Sequence, residues 1–121
     1  MKELLFVLLG GGCGAVLRYL LTTVMQKYLY MEHYATFIVN LIGCFILGLL
    51  LPVYLGEFHT MRAIFLIVGF VGSFTTFSTF EYENIDLLAH ERYIEFLKYT
   101  VYSCICCITA VLLGLNLGNI L

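Results

Sequence analysis

The stretch GFVGSFTTFSTF, Gly69 to Phe80, sets two glycines, five hydroxyl side chains and four phenylalanines inside an otherwise apolar chain. Glycine costs a helix about 1 kcal/mol relative to alanine, and β-branched threonine is a weak helix former. The run Gly72–Thr76 therefore predicts an interrupted helix. At membrane depth a break frees amides and carbonyls that lipid cannot satisfy, so it must face protein, water or an ion. Freed carbonyls are hard oxygen ligands suited to a small cation such as Na⁺. Beyond the break, Phe77 and Phe80 are spaced to share one helix face. A phenyl ring has a positive edge, so two edges aimed at one point hold a small anion without a fixed charge. Ser78 and Thr79 add hydroxyl donors along the same route. The same spacing equally suits rings that pack or face lipid, and hydroxyls that bond back to the preceding turn.

The rest of the chain supplies the membrane. Of 121 residues, 62% are hydrophobic and 12% charged, too much apolar surface for a soluble domain this small to hide. A bilayer core takes about 20 apolar residues per helix. Four stretches qualify: roughly Leu4–Val24, Tyr34–Leu55, Met61–Phe80 and Tyr93–Leu117. The expectation is an all-α membrane protein, residues 1–121 forming one four-helix transmembrane domain with its third helix broken near Gly72–Thr76. The connections are short: QKYLYMEH, GEFHT and ENIDLLAHER. The N-terminal run resembles a signal peptide but lacks a small-x-small cleavage site and reads as the first span.

Charge excludes some functions and leaves others open. With a net charge of −2 and no basic cluster, nucleic acid is not an expected partner. Lys2 and Arg62 fall on the side of the termini, and Lys27, Arg92 and Lys98 on the other, with Arg18 near the end of the first span. So small an asymmetry does not fix orientation strongly, which permits a chain that inserts both ways. The acidic residues from Glu81 to Glu95 read as a solvated connection. His33, His59 and His90 fall in connections. Cys13, Cys44, Cys104, Cys106 and Cys107 lie in apolar runs without a CxxC and read as buried, reduced thiols. No nucleophile–base or metal constellation and no ATP motif is present, so an enzyme is not expected.

Polar residues within the spans are the remaining candidates. Asn40, in TFIVNLIG, needs a partner in lipid. Its amide suits either helix–helix contact or donation to an anion. Arg18 reads as snorkelling to the interface or as drawing anions to a vestibule. Ser103 suits a pore or simple packing. Gly10 to Gly14 and Gly114 to Gly118 are GxxxG pairs, which permit close helix approach.

Three motifs together resemble the small bacterial fluoride channels called Fluc or CrcB: GGGCGAVLRY at Gly10–Tyr19, TFIVNLIGCFILG at Thr36–Gly48 and GFVGSFTTFSTFEYE at Gly69–Glu83. The resemblance covers nearly the whole chain. It implies a passive fluoride-selective channel of the cell membrane that exports cytoplasmic fluoride and protects against its toxicity. It implies an antiparallel, dual-topology homodimer with two pores, each lined by both subunits. Fluoride would pass the edges of the Phe box, here Phe77 and Phe80, with Asn40 as donor and Ser78, Thr79 and Glu83 as a polar track. A structural Na⁺ would sit on the dimer two-fold axis, held by the backbone carbonyls of Gly72 and Thr75. Arg18 matches a vestibule arginine, and Ser103 and Tyr99 match looser fourth-span positions. There the family tends to offer serine and threonine, where this chain has cysteines.

The alternative is a small dual-topology multidrug or cation transporter. That class needs an acidic residue deep in the first span, and this span has only Glu3, at its edge. A non-conducting scaffold subunit explains the GxxxG pairs but neither the broken helix nor the phenylalanine pair.

Overall fold

The apolar runs form helices as their length demands. A computed structural model describes residues 1–29 and 32–120, so Tyr30 and Met31 of the first connection, and Leu121, lie outside it. Helix α1 spans Lys2–Leu29 and α2 Glu32–Tyr54. The third crossing is built of pieces: α3 at Met61–Ala63, a π-helical stretch at Ile64–Val71, α4 at Gly72–Phe74 and α5 at Phe77–Ala89. Helix α6 spans Tyr93–Gly118. Among the described residues, four segments are long and apolar enough to cross a membrane: Lys2–Tyr28, His33–Tyr54, Met61–Ala89 and Tyr93–Gly118.

The glycine pairs set how these crossings pack. A methyl group on Gly10 would meet the Phe65 carbonyl at 2.3 Å, and one on Gly14 would meet the Phe70 carbonyl at 2.2 Å. Helix α1 therefore lies directly on the π stretch. On the other side α2 packs most extensively against α6. A methyl on Gly114 would meet the Phe45 carbonyl at 2.3 Å, and one on Gly118 the Leu49 carbonyl at 2.7 Å, so the two helices run parallel. A methyl on Gly48 would meet the Val111 carbonyl at 2.2 Å. The predicted close-approach role of the GxxxG pairs is what the structure shows.

The core mixes polar with apolar side chains, and much of the apolar surface lies outside it. Thr36, Thr76, Glu83, Asn84 and Ser103 are buried beside Ala35, Val39, Phe74 and Leu87, while Leu4, Leu8, Leu20, Ile108 and Leu112 are exposed. That distribution suits a lipid solvent.

Three sequence expectations change. The acidic ENIDLLAHER run is not a loop throughout, because α5 continues to Ala89 and buries Glu83 and Asn84. His33 lies in α2, not in a connection, with its ring 5.5 Å from that of Tyr99. None of the cysteines is fully buried: Cys13 and Cys104 are exposed and Cys44, Cys106 and Cys107 half-buried, all of them free thiols.

The turn between α5 and α6 has a specific cause. Glu91 sits at φ 57°, in the left-handed region. The Arg92 amide bonds the Leu87 carbonyl at 2.9 Å and the Glu91 amide the Leu88 carbonyl at 3.0 Å. This is the Schellman pattern, and a non-glycine residue holds its left-handed position.

Candidate functional site

The break falls at two residues. Thr75 (φ −74°, ψ 155°) and Thr76 (φ −146°, ψ 112°) are extended, whereas Gly72 is still helical. The Thr76 hydroxyl restarts the helix, accepting the Thr79 amide at 3.2 Å as an N-cap. It also lies 2.9 Å from the Thr79 hydroxyl and 3.3 Å from that of Ser78.

Asn40 holds the break from α2. Its Nδ2 donates to the Thr76 carbonyl at 3.0 Å, and its Oδ1 accepts the Thr76 amide at 2.8 Å. One side chain thus satisfies both backbone groups that the break releases at Thr76. Of the two readings of Asn40, helix–helix contact is the one seen, and one Nδ2 hydrogen is left over. Arg18 does the same from α1, its Nε donating to the Ser73 carbonyl at 3.0 Å. The Ser73 hydroxyl in turn bonds the Gly11 carbonyl at 2.8 Å. Arg18 is therefore tied to the end of α4. The described residues make no hydrogen bond to the carbonyls of Gly72 or Thr75.

Beside the break opens a groove of about 280 Å³, lined by Asn40, Gly43, Cys44, Thr75, Thr76, Phe77, Phe80, Ser103, Cys104 and Cys107, among others. The Phe77 and Phe80 ring centroids are 5.7 Å apart and the rings are tilted by 39°. Phe80 is 6% exposed and Phe77 73%. The inner ring is thus fixed by packing, while the outer one stands on an open face. The Ser103 hydroxyl is buried and has no hydrogen-bond partner among the described residues, although it lines the groove.

Glu83 marks the far end. Its carboxylate, 4% exposed, accepts the Thr36 hydroxyl at 2.6 Å on Oε1 and the Tyr99 hydroxyl at 2.5 Å on Oε2. The Tyr99 ring lies 5.1 Å from that of Phe80 and lines a second, wider cavity of about 790 Å³ with His33, Asp86, Arg92, Glu95 and Lys98. The Phe80 ring on the apolar groove therefore meets the Tyr99 ring on the charged cavity.

Parallel packing puts these groups in one register. Gly48 packs opposite Gly114, against the Val111 carbonyl. One turn back on both helices are Cys44 and Cys107, then Asn40 and Ser103, both pairs lining the groove. A further turn back, Thr36 and Tyr99 meet on Glu83.

Of the residues predicted for the site, Asn40, Thr75, Phe77, Phe80 and Ser103 line the groove. Glu83 lies behind it. Ser78 and Thr79 reach it only through the Thr76 hydroxyl, and Gly72 and Arg18 do not line it. Sequence reading missed Thr36 and the capping role of Thr76. Thr36 precedes Asn40 by one helical turn and so shares its face, which is the signal that would have found it.

The fold and site define a class: a four-span membrane protein whose third span is interrupted and tied back by polar side chains from two neighbouring helices. More particularly, the chain belongs to the CrcB family. Residues 5–115 match the family described as CrcB-like protein, Camphor Resistance (CrcB). It is similar to proteins named fluoride-specific ion channel FluC. The one from Flavobacterium psychrophilum is 38% identical, covering 98% of this chain and 98% of its own. That from Phocaeicola vulgatus is 39% identical (95% and 97%) and that from Methanococcus maripaludis 39% (94% and 93%). The chain is a multi-pass membrane protein.

Proposed function

We propose that this chain forms a passive, fluoride-selective channel that exports cytoplasmic fluoride. The observation that carries it is the Phe77–Phe80 pair set immediately after a helix break and opening on a groove. Family membership and the names of the relatives support it. Fluoride is small and strongly hydrated, so a pore must replace its water with donors of its own. Ring edges, the spare Asn40 hydrogen and the Ser103 hydroxyl, which has no partner among the described residues, are neutral donors along one wall. They hold an anion weakly enough to release it. Beyond them the Tyr99 and Thr36 hydroxyls are engaged by Glu83, and passage requires them to exchange partners. Hydrogen fluoride crosses membranes as a neutral acid and dissociates in a less acidic cytoplasm. An inside-negative potential then drives the anion out, by about 2.3 kcal/mol per charge per 100 mV. No energy source is needed, and no reaction is catalysed.

The working unit in this reading is an antiparallel, dual-topology homodimer. A single chain leaves Phe77, Ser78 and Gly72 on an open face, and a second copy would cover it. A structural Na⁺ on the two-fold axis fits the Gly72 and Thr75 carbonyls, which are hard oxygen donors without hydrogen-bond partners among the described residues. An assembled dimer with no ion at that axis would remove this part of the proposal.

The test is fluoride efflux from liposomes holding purified protein. The parent should release fluoride rapidly and chloride hardly at all. Phe80→Ile and Phe77→Ile should slow release while the helices stay folded. Equal rates in the parent and both variants would refute the phenylalanine assignment.

A further inference from the structure

Three thiols in the groove wall, Cys44, Cys104 and Cys107, have no part in that reading. Cys44 and Cys107 lie on parallel helices, each one turn before a residue of the close contact in which a methyl group on Gly48 would touch the Val111 carbonyl at 2.2 Å. This is where α2 and α6 approach most closely. Both side chains line the groove. Both are free.

We propose that Cys44 and Cys107 form a binding site for a soft divalent cation that accepts two-coordination, with Hg²⁺ as its type. Soft thiolate sulfur selects soft metals. The described residues hold no cluster of three or more His, Cys, Asp or Glu suited to a metal, so ions that demand four ligands are not served. A linear ion needs only the two sulfurs. The binding step balances without redox chemistry. Hg²⁺ replaces one proton on each thiol, two S–Hg bonds form, two S–H bonds break, and two protons leave to water. The bridged product carries no net charge. That suits membrane depth, where a charge is costly, and it disfavours monovalent soft ions, which would leave a net negative pair. The bridge would stand in the same wall as Asn40 and Phe80, so an occupied site narrows the groove.

The experiment uses the intact chain in detergent, treated with one equivalent of HgCl₂ per chain and read by intact mass. The bridged adduct weighs one mercury less two hydrogens, whereas capture by a single thiol leaves chloride on the metal. The parent should show the bridged adduct. Cys44→Ser and Cys107→Ser should each lose it, and Cys13→Ser, changed on α1 outside the groove, should keep it. A bridged adduct that persists in either groove variant, or is absent from the parent, overturns the site. Liposome flux gives the second readout, each variant compared with and without metal: Hg²⁺ should slow the parent and spare the two groove variants. The mass readout does not depend on transport. A chain that carries no fluoride yet forms the bridge refutes the channel reading and leaves the metal site standing.

Discussion

Replacing Asn40 by alanine isolates the clamp on the helix break. The side chain makes two hydrogen bonds, to the Thr76 carbonyl at 3.0 Å and from its amide at 2.8 Å. Hydrogen bonds within membrane proteins contribute about 0.6 kcal/mol on average and at most about 1.7. Two together give a loss of about 1–3 kcal/mol, toward the upper end because Thr76 is buried and water has little access to the orphaned groups. The measurement is reversible unfolding in mixed micelles with rising sodium dodecyl sulfate, followed by helicity. Parallel liposome flux separates two roles. A residue that served only as an ion donor would lose flux and keep its stability. A stability change below about 0.5 kcal/mol for Asn40→Ala, less than one such bond, would refute the clamp.

Gly14→Ala should destabilise by about 1–3 kcal/mol in the same unfolding assay, because its methyl would lie 2.2 Å from the Phe70 carbonyl and 2.3 Å from the Ser73 hydroxyl. Gly11→Ala, three residues away with open space around it, should be neutral or gain up to about 1 kcal/mol. Glu91→Gly should stabilise by about 1 kcal/mol, since glycine occupies a φ of 57° without strain; an unchanged or lower midpoint would contradict the Schellman assignment. Thr36→Val removes a 2.6 Å donor from the buried Glu83 carboxylate, and should cost about 1.5–3 kcal/mol, read as a lower unfolding midpoint.

Local chemistry made part of this molecule legible. Apolar run length gave four crossings. The glycine–threonine cluster placed the interruption near Gly72–Thr76, and phenylalanine spacing put Phe77 and Phe80 together. The GxxxG pairs gave close packing. What stayed hidden depends on partners distant in sequence. The break localises to Thr75–Thr76 because Asn40, on another helix, can satisfy Thr76 alone. Glu83 sits in an acidic run that looks solvated, and only the Thr36 and Tyr99 hydroxyls make its burial tolerable. Arg18 has two ordinary readings from sequence. Its bond to the Ser73 carbonyl requires knowing that α1 rests on the third crossing.

The interruption at Thr75–Thr76 has an electrostatic consequence. Every α-helix is polarised, its amide end positive and its carbonyl end negative. A continuous crossing exposes those poles only at the two membrane surfaces. Cutting the third crossing brings a negative pole, at the end of α4, and a positive pole, at the start of α5, within two residues of each other in the apolar interior. The Arg18 guanidinium answers the first pole at the Ser73 carbonyl, and a neutral hydroxyl, that of Thr76, answers the second, so opposite fields stand at one depth with a single charged side chain between them.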